Sequence, residues 1–139
     1  MAYRDRPSAF GVAPRDGEIA LVRVTKPGFE PWFDLPGGGV DPGETDAQAV
    51  VREFGEETGL IVRAGGLLGR ADQFARNTEG QAFDIRAALF EIEVLGAKDA
   101  LKIEDDHELV WMAPDLALRR LRHDCHAWAV ARWLRTRAA

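Results

Sequence analysis

Three glutamates, Glu53, Glu56 and Glu57, fall at spacings i, i+3 and i+4 in a stretch that reads as one helix. On a wheel of about 100° per residue they share a face, because side chains three and four apart are neighbours. Like charges at that spacing oppose a helix by about 0.2–0.5 kcal/mol per pair. Carboxylates near a helix C-terminus also oppose its macrodipole. Arg52, four residues before Glu56, offsets part of this charge, and a divalent cation would offset the rest. Magnesium takes oxygen ligands, keeps several waters and is commonly shared between one or two carboxylates and substrate phosphates. Most glutamate runs on helices are simply solvated. Here the glycine-rich segment 36–39 precedes the helix and can bring backbone groups close to a ligand. The chemistry suggested is cation-assisted work on a phosphate.

The elements that must position these residues are legible from pattern. Thr45 to Gln48 fits a capping box, with Thr45 as N-cap and Gln48 reaching back, and Gly59 sits where a left-handed C-cap residue is wanted. Ala47, Val50, Val51, Phe54 and Thr58 are expected to face a sheet, opposite the glutamates. Residues 8–13 and 18–25 read as strands joined by a turn at 14–17, and 32–35 as a short strand. Segment 36–39 is expected to interrupt regular structure. Residues 60–74 and 81–95 read as strands separated by a polar turn at 76–80. An acidic loop at 104–108 leads into a short strand through Trp111, and a helical stretch spans 114–122. A last helix starts near Asp124, with Ala127, Val130, Ala131 and Leu134 on one face. This order predicts an α/β fold in which a mixed sheet is covered by helices on both sides.

The residues from Gly38 to Leu60 resemble the signature of the Nudix hydrolase family: Gly, five residues, Glu, seven residues, Arg-Glu, an apolar residue, any residue, Glu-Glu, any residue, Gly, apolar. Gly38, Glu44, Arg52, Glu53, Phe54, Glu56, Glu57, Gly59 and Leu60 meet every fixed position. Phe54 departs mildly, standing where the family usually has an aliphatic residue. The resemblance implies an α/β/α sandwich and a MutT-like pyrophosphohydrolase that cleaves a nucleoside diphosphate derivative by water attack on phosphorus. Mg²⁺ is the implied cofactor, with Mn²⁺ as an alternative. Carried over residue by residue, Glu53 and Glu57 are the main metal ligands, joined by Glu56 and the Gly37 carbonyl, while Arg52 orients the glutamates and Glu44 holds Arg52. The general base is either Glu53 or an acidic residue of the 104–108 loop. The resemblance also admits a homodimer. It leaves a non-catalytic nucleotide-sensing module as the alternative, although such modules usually lose box glutamates and this chain keeps them. An isopentenyl diphosphate isomerase would need a cysteine on a strand before the box, and none lies there.

The remaining sequence narrows the classes further. With 139 residues, 46% of them hydrophobic and 29% charged, the chain reads as one globular domain spanning 1–139. A net charge of −5 argues against gripping nucleic acid through its phosphates. No run of apolar residues is long enough for a membrane span, residues 1–7 lack an apolar signal core, and one cysteine fits a cytoplasmic setting. The expected partner is a small nucleotide. Trp32, Phe33, Phe74 and Phe83 are aromatic candidates for stacking on its base, Arg70 and Arg76 for meeting phosphate, and Gly37 and Gly38 for close backbone approach. His107 is expected to be an ordinary surface residue. Cys125 has His123 and His126 nearby but no acidic third member placed to form a triad, so a cysteine nucleophile is not expected.

Overall fold

The computed structural model describes residues 4–138; Tyr3, the chain's one tyrosine, and the first residues of the polar 1–7 stretch lie outside them. Strand β1 (Arg4–Val12) alternates, sending Ala9 to one face and Phe10 and Val12 to the other. It pairs in parallel with β7 (Ala82–Ala97) and antiparallel with β5 (Gly37–Gly39). Strand β6 (Leu60–Arg76) pairs antiparallel with β7, giving the order β5-β1-β7-β6. The central sheet is therefore mixed, as the element order predicts.

A second, antiparallel sheet forms around β3 (Glu18–Val24), which pairs with β2 (Pro14–Arg15), β4 (Trp32–Asp34) and β8 (His107–Met112). The β2–β3 connection turns at Asp16 and Gly17, whose φ values of 53° and 82° are both left-handed, as a two-residue hairpin requires. The turn expected at 14–17 thus links β3 to a two-residue strand rather than to β1. The strands divide between two sheets because β1 takes its partners from β5 and β7.

Helices cover both faces. Helix α1 (Asp46–Thr58) buries Ala49, Val50 and Phe54 against Ala9, Ala88 and Phe90. On the other face, α3 (Asp124–Ala138) buries Cys125, Ala129, Val130 and Trp133 against Ile85, Ala87 and Leu89, with Ala117 of α2 (Pro114–Arg120) in the same cluster. The architecture is the expected α/β/α sandwich. None of these helices is long and apolar enough to cross a membrane.

Thr45 and Gln48 form both halves of the capping box, and Gly59 closes α1 at φ 77°. Segment 36–39 interrupts regular structure only at Pro36, where the chain leaves β4 for the other sheet, while Gly37–Gly39 form β5. Gly37, at φ 147°, lies so close to β1 that a Cβ there would meet the Ala9 carbonyl oxygen at 2.2 Å, so the glycines permit edge pairing that larger residues would block. Two helix faces are also rotated from expectation. Val51 is 37% exposed while Ala49 is fully buried, because α1 is covered on the Glu57 side as well as by the sheet. In α3 the exposed Ala131 yields to Trp133 and His126, whose larger surfaces decide which face goes inward.

These burials set a stability test. Phe54→Ala is expected to cost about 3–5 kcal/mol in urea denaturation. Val51→Ala is expected to cost less than about 1 kcal/mol. Equal losses at the two positions would contradict this orientation of α1.

Candidate active site

A cavity of about 270 Å³ opens where the β5 edge meets β4, α1 and the loop before β8. Gly37, Gly38, Glu53 and Glu57 form one wall, and Glu104 and His107 face it. Ser8, Phe10 and Ile85 make the floor, with Arg6 and Phe83 at one end and Asp34, Arg122 and His123 at the other. The even-numbered residues of β1 reach this floor together because a strand repeats every two residues.

Arg52 organises the glutamates. Its Nε donates to Glu44 Oε2 at 2.7 Å and its Nη2 to Glu44 Oε1 at 2.9 Å, a bidentate pair. Its Nη1 donates to Glu53 Oε1 at 3.0 Å and to Glu56 Oε1 at 3.1 Å, and Nη2 also reaches the Gly39 carbonyl at 3.0 Å. One guanidinium thus links the glycine strand, the loop and the helix. The hydrogen bonds from Arg52 hold the Glu44 carboxyl down at about 2, assisted by the Asp41 backbone N–H.

Glu57 is buried, and burial pushes its carboxyl well above the usual range, with the charges of Glu53, Asp34 and Glu104 adding to the effect. The Gly37 N–H donates to its Oε1 at 3.1 Å and opposes the shift. Its Oε2 lies 3.4 Å from His107 Nε2. Glu53 is raised for the same leading reason, burial, against the pull of Arg52. Crowded carboxylate oxygens in one cleft, raised by burial and by one another, form a donor set that fits a hard divalent cation.

The acidic loop reaches this place through the helix end. The Glu56 carbonyl at the last turn of α1 accepts the N–H groups of Ile103 and Glu104 at 2.9 and 3.1 Å. Across it, Lys26 pairs with Asp106, whose Oδ1 lies 2.7 Å from His107 Nδ1. Among the described residues, Glu104, Asp106 and His107 form a group whose ligand atoms all lie within 4.8 Å of one another.

The far wall is a polar cluster. Asp34 Oδ2 accepts from the Trp32 indole at 3.0 Å and from Arg122 at 3.2 Å, and the Arg122 guanidinium covers the Trp32 ring at 4.2 Å. Leu35 N–H donates to His126 Nδ1 at 3.1 Å, which places the imidazole proton on Nε2. Burial holds His126 well below its usual value. Asp34 Oδ1 lies 3.9 Å from His123 and 4.0 Å from His126, so folding brings an acidic neighbour to these histidines from a distant part of the chain. The Cys125 thiol is nonetheless buried and pushed up to about 11, which keeps it protonated.

The structure therefore brings Gly37, Gly38, Glu53 and Glu57 into one cleft, with Glu44 and Arg52 behind them. Glu56 is not in the cleft lining; it shares the Arg52 Nη1 donor with Glu53 and borders a second groove with Val51 and Leu101. Trp32 stands behind Asp34 rather than in the lining. Arg70 pairs with Asp46 at 3.1 Å and Phe74 is 55% exposed, and neither lines the cleft. Arg6, Asp34, Arg122 and His123 went unread, and His107 is only 17% exposed along its side chain rather than a surface residue. Period-two spacing along 6–10 is the one sequence signal that pointed to the floor.

The Arg52–Glu44 pair has a pH signature. Since Glu44 is depressed in the fold, its contribution is complete above the unfolded carboxylate range and is lost as pH falls toward about 2. The stability gap between wild type and Glu44→Gln in urea titrations is thus expected to be constant above about pH 5 and to narrow below it. A gap independent of pH would contradict the pairing.

The description "NUDIX domain" matches residues 4–134 of this chain. An ADP-ribose pyrophosphatase of Methanocaldococcus jannaschii is 40% identical over 96 residues, covering 69% of this chain and 54% of that protein. An 8-oxo-(d)GTP phosphatase of Mycolicibacterium smegmatis is 26% identical over 127 residues, covering 88% of this chain and 36% of that protein. The chain thus spans about half the length of the first relative and about a third of the second. A NUDIX hydrolase from Nitrosomonas europaea, at 20% identity, has the same fold with a TM-score of 0.82, covering 96% of this chain and 90% of that one. With a match over almost the whole chain, a matching fold and the glutamates held by Arg52, the protein belongs to the NUDIX family.

Proposed function

We propose that this protein hydrolyses a phosphoanhydride bond in a nucleoside diphosphate derivative by attack of water on phosphorus, with Mg²⁺ or Mn²⁺ at the glutamate cleft. The observation that carries this reading is the pair Glu53 and Glu57, one half-buried and one buried carboxylate lining one cleft beside the Gly37–Gly38 backbone. The names of the relatives support the class, since both act on nucleotide derivatives.

A divalent cation there would offset phosphate charge and lower the pKa of bound water. Glu57, fixed through Gly37 N–H, and Glu53 would hold it, with Glu56 and the Gly37 carbonyl as further donors from the family pattern. Glu53, or Glu104 across the cleft, would take the proton of the attacking water. Arg52 would keep Glu53 oriented toward the cleft while Glu44 anchors Arg52. The enclosing walls limit bulk water around the reacting group.

Glu53→Gln and Glu57→Gln are each expected to lower kcat by more than about 100-fold. Their thermal unfolding should stay cooperative. The assay is a panel of triphosphates, nucleotide sugars, ADP-ribose and dinucleoside polyphosphates with Mg²⁺. Parental rates in both variants would contradict the assignment, and silence of the wild type across the panel would favour a nucleotide sensor.

Binding of the cation requires ionised carboxylates, and those of Glu53 and Glu57 are raised. The increase in Tm produced by a fixed Mg²⁺ concentration is therefore expected to grow as pH rises from about 5 to about 8. An increase of the same size throughout would contradict binding at these two residues.

A further inference from the structure

Two arginines line the cleft, and they are not equivalent. Arg122 is already engaged, donating to Asp34 Oδ2 at 3.2 Å and covering the Trp32 ring. Arg6 has no carboxylate partner within 4.0 Å among the described residues, although Asp5 beside it pairs with Arg86 at 2.6 Å. Its guanidinium stands 5.7 Å from the Phe83 ring centroid. A guanidinium beside an aromatic ring keeps N–H groups available, and its fork matches the paired oxygens of a phosphate.

The position of Arg6 relative to the glutamates adds to this. Strand β5 separates the two. A Cβ built on Gly38 would meet the Glu53 carboxylate at 2.8 Å, whereas one built on Gly39 would find Arg6 Nε at 3.6 Å and Nη2 at 3.8 Å. Arg6 and Glu53 thus flank the same glycine backbone from opposite faces, with no side chain between the guanidinium and the strand. Strand β5 is an edge of the central sheet, so a polyphosphate laid along its outer edge would meet the carboxylates from one face and the Arg6 guanidinium from the other.

We infer that Arg6 is a specificity-determining residue that binds phosphate oxygens not held by the cation, so that the preferred substrate is a nucleoside triphosphate rather than a diphosphate ending in a neutral sugar. This rests on the hydrolase reading above and goes further by choosing among its substrates. A diphosphate with both phosphates at the cation leaves no anion for Arg6. A triphosphate has one to spare. The carboxylates Asp34, Glu53, Glu57 and Glu104 in the same lining repel additional negative charge, so an extra phosphate needs an unengaged cation at the point where it lies.

The test is calorimetric titration, with Mg²⁺ present, of non-hydrolysable methylene analogues of a nucleoside triphosphate and of ADP-ribose against wild type, Arg6→Gln and Arg6→Lys. Wild type is expected to bind the triphosphate analogue more tightly. Arg6→Gln should weaken that analogue by about tenfold and the ADP-ribose analogue by less than about twofold, with Arg6→Lys between them. Equal weakening of both ligands, weakening of neither, or tighter wild-type binding of the ADP-ribose analogue would overturn the inference. Failure here is separable from failure of the hydrolase reading. Turnover of ADP-ribose alone, lost in Glu53→Gln, would sink the triphosphate preference and leave hydrolysis standing. Absence of any turnover would sink hydrolysis while the binding comparison still decides the role of Arg6.

Discussion

Arg52 donates at once to Glu44, Glu53, Glu56 and the Gly39 carbonyl, and the site depends on that single guanidinium. Several carboxylates within one turn of helix repel one another, and withdrawing Glu53 partly and Glu57 almost wholly from water raises the cost. The arginine offsets part of that repulsion and fixes geometry through its rigid fork. It does not reach Glu57, whose neighbours are the Gly37 N–H and His107. The fold thus supplies partial compensation on one side of the cleft and leaves the other side charged and enclosed. A hard cation, on the proposed reading, would complete that balance.

The rest of the sandwich can be understood as holding this arrangement still. Phe54 and Val50 fix α1 against the central sheet, so that Glu53 and Glu57 project from a rigid element. The Thr45–Gln48 box and Gly59 define where the helix begins and ends. Pairing of β5 with β1 turns the glycine segment into a fixed strand whose backbone sits against both Glu57 and Arg52. The Glu56 carbonyl, accepting from Ile103 and Glu104, ties the acidic loop to the same helix end. Backbone hydrogen bonds from the last turn of α1 therefore connect the two walls of the cleft.

The helix, its caps and its glutamates were legible in the sequence because each is local: a capping box spans four residues and the acidic stripe one turn. The Glu44–Arg52 link was reached through the family pattern, and the geometry gives it a bidentate form. What escaped was non-local. Asp34 and Arg122 are 88 positions apart, and only the pairing of the α2–α3 connection with β4, through Leu121 and Arg122 against Phe33, brings them together. Arg70 and Phe74 looked suited to a nucleotide by residue type, but the long β6–β7 hairpin carries them away from the lining. The glycines misled in a different way. Read as a break, they pair as an edge strand because only residues without a Cβ approach β1 so closely.

The most direct test of the central claim is anomalous diffraction from crystals soaked in Mn²⁺. A peak is expected inside the cleft, within coordination distance of carboxylate oxygens of both Glu53 and Glu57. A peak confined to Glu104, Asp106 and His107, or none near α1, would contradict the account.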